Sequence, residues 1–145
     1  MLLDDVATYL DAQSASFTKL SGSVGNLTKA FMPDDSPAPD TIVTVYETGG
    51  IAPTHVFSTG AGVARAFENP RLQVIARSSR YATARNLAET AFTILDGFAG
   101  GTSITTAATP LYMDITAVQS PFSLGRDENG RYLVSVNFDV RKTTG

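Results

Sequence analysis

The most regular hydrophobic pattern lies near the C-terminus. Val134, Val136, Phe138 and Val140 point one way, and Ser135, Asn137, Asp139 and Arg141 point the other. A period of two with β-branched and aromatic residues on one side predicts a half-buried strand. Upstream, Leu111, Met113, Ile115 and Ala117 alternate with Tyr112, Asp114 and Thr116. Arg126-Asp127-Glu128-Asn129-Gly130-Arg131 separates the two runs, and Asn-Gly supplies the positive φ angles of a tight hairpin turn. Residues 111–141 therefore read as a long antiparallel hairpin with one apolar face, its tip projecting at 126–131. Pro121 has no N–H, so it should bend the first arm at an edge or bulge.

The rest of the chain must cover that apolar face. Leu3, Val6, Leu10 and Phe17 recur on one side of a predicted helix over residues 2–17, with Asp4 and Asp5 where the helix dipole favours acids. Residues 21–26 are a Gly/Ser turn, and 27–31 a short strand. Residues 32–40 form a proline-rich acidic loop. Residues 41–48 are a strand, with Ile42, Thr44 and Tyr46 opposite Val43, Val45 and Glu47, and Gly49-Gly50 ends it. Residues 71–77 are another strand, with Leu72, Val74 and Ala76 inward and Arg71, Gln73 and Arg77 outward. A second helix spans 81–98, its apolar face made of Ala84, Leu87, Ala88, Ala91, Ile94, Leu95 and Phe98. Ser78 or Ser79 can cap it, and Gly97 or Gly100-Gly101 can close it. Residues 101–110 are a polar loop.

Residues 51–70 fit no period. They carry Ile51, Val56, Phe57, Val63 and Phe67, unlike a solvated linker, and compact domains rarely hold a structureless loop of that length. They read as an arm that packs on its own sheet or on a neighbour. The predicted fold is α+β: a mostly antiparallel sheet with a long C-terminal hairpin, two helices on one face, and one domain over 1–145 with a protruding arm at about 49–70.

The 145 residues include no cysteine, which removes disulfides, thiol catalysis and thiolate metal sites. No basic, apolar leader opens the chain and no run approaches a membrane span, so a soluble, unexported protein is expected. The net charge is −3. From residue 1 to 64 seven acids face Lys19 and Lys29; from Arg65 onward nine bases, eight of them Arg, face seven acids. There is no basic excess for a nucleic acid, and the asymmetry suits contact between copies of one chain.

Chemistry is sparse. His55 is the sole histidine and has no nucleophile and orienting group beside it in sequence. Gly60-Ala61-Gly62 lacks the lysine of a phosphate loop. Asp34, Asp35 and Asp40 match no cation-binding spacing, and Asp127, Glu128 and Asn129 have the composition of a turn. Arg65, Arg71, Arg77, Arg80 and Arg85 could hold phosphate, but a protein interface accounts for them better. No catalytic residue, cofactor or metal ligand is assigned.

Four stretches carry a resemblance: Tyr46-Glu47-Thr48-Gly49-Gly50, Pro70-Arg71-Leu72-Gln73-Val74, Tyr81-Ala82-Thr83-Ala84-Arg85, and Gln119-Ser120-Pro121-Phe122-Ser123-Leu124-Gly125-Arg126-Asp127-Glu128-Asn129-Gly130-Arg131. In order and spacing, from Phe31 to Val140, the chain resembles the minor capsid or tail terminator proteins of long-tailed bacteriophages. The last stretch is the most specific. The resemblance implies a small α+β subunit that forms a ring, usually of six, on the head-proximal end of the tail tube. There it would stop tube growth and face the head connector. Implied partners are the chain itself, the major tail tube protein and the head–tail connector or stopper. No membrane or sequence-specific nucleic acid is implied, since the genome passes through the lumen. The location would be the virion neck, after assembly in the host cytoplasm. The expected interface residues are Ile51, His55, Val56, Phe57, Val63, Arg65, Phe67, Arg71, Asp34, Asp35, Arg126 and Arg131. Two other readings stay open at this point: a different neck or connector component, and a small ligand-binding or hydrolytic protein using His55.

Overall fold

A computed structural model of the chain describes residues 1–34, 39–56, 65–102, 104 and 110–143. The elements are α1 (Leu2–Gln13), β1 (Leu27–Lys29), β2 (Ile42–Val56), β3 (Arg65–Ser78), α2 (Tyr81–Leu95), β4 (Phe98–Thr102), β5 (Tyr112–Ala117), β6 (Phe122–Arg126) and β7 (Tyr132–Thr143). Among the described residues, seven strands form one sheet in the order β1-β2-β3-β7-β5-β4, with β6 also on β7. All pairs are antiparallel except β1 with β2. Both helices pack on the same face, α1 against β1 and β2, α2 against β3, β5 and β7. The expected α+β fold is the observed one.

The core lies between the helices and that face. Val134, Val136, Phe138 and Val140 are buried as their alternation requires, with Val43, Val45, Leu72, Val74 and Ala76 beside them. Helix α2 presents Ala84, Ala88, Ala91 and Leu95, and the small alanines let it approach the sheet closely. It stops at Leu95, three residues short of Phe98. Gly97 takes φ +81° and donates to Ile115 O, turning the chain so that Phe98 begins β4 opposite Ile115. Gly100 and Gly101 thus lie within a strand rather than closing the helix. Helix α1 ends at Gln13. The Ser14 hydroxyl accepts from the Ser16 N–H, a local bond that competes with the helix, and Phe17 reaches the core from the following turn.

The C-terminal hairpin is present but broken once. The upstream arm divides into β5 and β6, both on β7, with Pro121 at the break. One extra residue, Met113, separates the Tyr112–Lys142 and Asp114–Arg141 pairs. A bulge of this kind flips every side chain before it. Tyr112, expected on the wet face, is therefore fully buried, and its hydroxyl donates to Asp5 Oδ2 at 2.7 Å. Burial and then Asp5 push the Tyr112 pKa upward, so it stays a donor. At the tip, Gly130 has φ +74° and Asn129 does not have a positive φ. Asp127 Oδ1 instead accepts from the N–H groups of Asn129 and Arg131, both at 2.9 Å.

Strand β2 does not end at Gly49-Gly50. It runs through them to Val56, pairing with β3 again at Ile51 and from Thr54 to Val56, so 51–56 and 65–70 are a continuation of one antiparallel ribbon. Register shifts fall between Thr48 and Ile51 and between Ile51 and Thr54. The first places Gly49-Gly50 opposite Pro70, which has no N–H to offer. A Cβ at Gly50 would lie 2.0 Å from Asn69 O, so the backbones can approach this closely only at glycine. The Asn69 carboxamide donates to Ala52 O at 3.0 Å and Thr54 Oγ1 at 3.1 Å, tying the shifted strands together.

Candidate functional site: an assembly surface

The ribbon beyond Gly50 is the first part of the site. Ile51 is 71% exposed, and Ala52, Pro53 and Thr54 are exposed with it. Backbone pairing sets Thr54 opposite Phe67, His55 opposite Ala66 and Val56 opposite Arg65. Phe67 lies under the Arg141 guanidinium, 5.8 Å from ring centre to Cζ. Lys142 donates to Glu68 Oε2 at 2.5 Å. Phe57, Val63 and Asp35 lie outside the described residues. At the ribbon's root a cleft of about 300 Å³ is lined by Ile51, Asn69, Asp139 and Arg141, among others. Arg71 faces outward as expected and meets Asp139 of its own chain at 2.9 Å.

Arg77 and Arg131 belong to a different arrangement. Both were expected at the surface, and both are buried, Arg77 at 1% exposure. Arg77 sits opposite Ile42 on the sheet face away from the helices, and the chain around Asp34 and Asp40 folds over it. Its Nε donates to Asp40 O at 3.1 Å, Nη2 to Pro39 O at 3.0 Å and Nη1 to Asp34 Oδ1 at 3.2 Å. Arg131 donates to Asp127 Oδ2 at 2.8 Å, Asp34 O at 3.2 Å and Asp40 Oδ1 at 3.4 Å. Burial, then repulsion from Arg131, lowers the Arg77 pKa, while Asp34, Asp127 and Asp40 pull it back. The acidic loop is thus anchored at both ends to its own subunit, and Asp34 and Asp40 are already engaged there. Sequence reasoning placed Arg77 outside because alternation cannot tell a solvated face from one that a loop covers.

The third part is β6. All five of its residues are exposed, including Phe122 at 36% and Leu124 at 45%. Among the described residues its only strand partner is β7, so its other edge is unpaired there. Arg126 stacks over Tyr132 at 5.4 Å, and Tyr132 meets Tyr81 edge-on at 5.8 Å. Arg85 holds the carbonyl of Pro121 at 2.9 Å and so fixes the start of β6. The tip projects at Glu128, Asn129 and Gly130, but Arg131 turns inward.

Among the described residues, no group of three or more His, Asp or Glu side chains could hold a metal ion. Among the same residues, no helix is long and apolar enough to cross a membrane. What the described surface offers is open strand edges, exposed apolar side chains and isolated charges, which suit contact between proteins.

Residues 10–144 match the bacteriophage tail terminator protein family, and the chain belongs to that family. It is a structural tail protein of a phage-type virion. No curated protein matches the sequence. Among solved structures, a chain of the virion of a native gene transfer agent particle has the same fold, with TM-score 0.59 and 15% identity over 99% of this chain and 95% of that one.

Proposed function

We propose that copies of this chain, six to a ring, cap the head-proximal end of the tail tube, stop its polymerisation and present the surface on which the head connector or stopper docks. The observation that carries this reading is family membership over 10–144 together with two unlike strand edges, at the far end of β2 and at β6, that are unpaired among the described residues. A ring needs heterologous contacts, one patch meeting a different patch on the next copy, and a subunit with two unlike edges can provide them. The arm at about 49–70, whose described ribbon carries the exposed Ile51, the half-buried Phe67 and the His55, Val56 and Arg65 positions, packs on the neighbour. Its far part, with Phe57 and Val63, belongs to the same contact. The tube protein and the connector meet opposite faces of the ring, and the genome passes through the lumen without being read. Assembly takes place in the host cytoplasm.

Deleting residues 53–63 tests this. The β2–β3 pairing over Ile42–Thr48 and Arg71–Arg77 remains available, so circular dichroism should still show a folded α+β subunit while rings vanish from sedimentation. In infected cells the deletion should leave overlong tails or unjoined heads and tails. Intact rings after the deletion would refute the arm's role.

A further inference from the structure

We infer that neighbouring subunits join by strand addition, the open edge of β6 on one copy pairing antiparallel with the open edge of β2 on the next, with Arg126 opposite Glu47 and Phe122 opposite Ile51. This rests on the ring reading and names the contact that closes it.

Strand β1 covers β2 only at Val43, Thr44 and Val45, so from Glu47 onward the outer edge of β2 has no strand partner among the described residues. Through β3 and β7, the pairing makes β6 run antiparallel to β2. Rotation about an axis roughly along the strands preserves strand direction. A β6 brought beside the next copy's β2 therefore meets it antiparallel without any flip. Strand edges of this kind are templates for addition, and an exposed apolar one left open is a liability unless something covers it.

The register follows from charge and from bulges. Arg126 and Glu47 are both exposed, and neither makes an ion pair among the described residues. Setting them opposite each other places Phe122 opposite Ile51 and Leu124 opposite Gly49. Each strand carries one extra residue in that stretch: Leu124 lies between the Ser123–Val134 and Gly125–Leu133 pairs, and the Gly49-Gly50 pair opposes Pro70. A bulge reverses the facing of what lies beyond it. Arg126 pairs with Tyr132 and Glu47 with Leu72, which puts both on the helix side of the sheet. Phe122 pairs with Ser135 and Ile51 with Asn69, which puts both on the opposite side. The two reversals match, so the charged pair meets on one face and the apolar pair on the other. Gly49, with no side chain, stands where Leu124 must pass.

The chain has no cysteine, so an introduced pair reports this contact cleanly. Phe122→Cys with Ile51→Cys is made in one chain, and oxidation is carried out on tails purified from particles and on the isolated protein. Within one subunit β2 and β6 are three strand spacings apart, about 14 Å, beyond the roughly 7 Å limit for a disulfide. The expected result is a ladder at multiples of the subunit mass from the double variant, and at most dimers from either single one. Arg126→Glu or Glu47→Arg should each remove the ring peak in sedimentation, and the two together should restore it. A wild-type ring whose double-cysteine form stays monomeric on oxidation overturns this pairing and leaves the ring reading standing. A wild-type chain that forms no ring on tails or alone overturns both. All four positions are exposed, and circular dichroism checks that each variant folds.

Discussion

Replacing Arg77 by methionine keeps the length and apolar stem of the side chain and removes its guanidinium. The structure gives the cost. Two loop carbonyls, Pro39 O and Asp40 O, lose their donors, and Asp34 loses one of its two arginines. Breaking a buried charged pair costs about 3–5 kcal/mol when the remaining charge stays buried. Here Asp34 is 72% exposed and can return to water. The stranded carbonyls then dominate; because Pro39 is only half-buried and Asp40 is exposed, each falls in the lower half of the range of about 1–3 kcal/mol, so the sum is about 3 kcal/mol. With a urea slope of about 2 kcal/mol per M, the unfolding midpoint should fall by about 1.5 M. Arg71→Met removes a half-exposed pair with Asp139 and should cost less than about 0.5 kcal/mol. Urea denaturation of both variants decides the matter. A midpoint change for Arg77→Met no larger than that for Arg71→Met would show that the buried arginine does not anchor the loop. A double-mutant cycle with Arg131→Met should show coupling of about 0.5–3 kcal/mol through the shared Asp34.

Three further outcomes follow from the same geometry. Burial raises the Asp127 pKa, but hydrogen bonds from Arg131 and Asn129 outweigh it and hold the value below the ordinary 3.8. That stabilisation is complete above 3.8 and is lost as pH falls through the lower folded value. The acid-side decline of the urea midpoint should therefore be shallower in Asp127→Asn. Gly50→Ala brings a methyl 2.0 Å from Asn69 O, and should cost about 1–3 kcal/mol and speed amide exchange in the ribbon. Ala88 is fully buried against the sheet, so Ala88→Leu should overpack that contact and lower stability by about 1–3 kcal/mol, read by thermal unfolding.

What the sequence by itself determined is what depends on local period. The β7 alternation, the alanine face of α2, the bend at Pro121 and the hairpin turn near Gly130 are all written in the spacing of neighbouring residues, and they suffice for an α+β sheet with helices on one side. The stretches quoted from Tyr46 to Arg131 also carried the family. Tertiary structure decided whatever a register shift or a covering segment controls. Extra residues at Gly49-Gly50, Met113 and Leu124 reverse the facing of the strands around them. That erased the period of 51–56, moved Tyr112 into the core and hid a paired ribbon behind glycines and a proline that read as terminators. Arg77 and Arg131 show the second limit. Their alternation places them off the apolar face, but only the loop crossing that side, through Asp34 and Asp40, turns two surface arginines into buried anchors. A side chain's parity is local, whereas the identity of what lies above it depends on residues 37 to 97 positions away, which no periodicity can report.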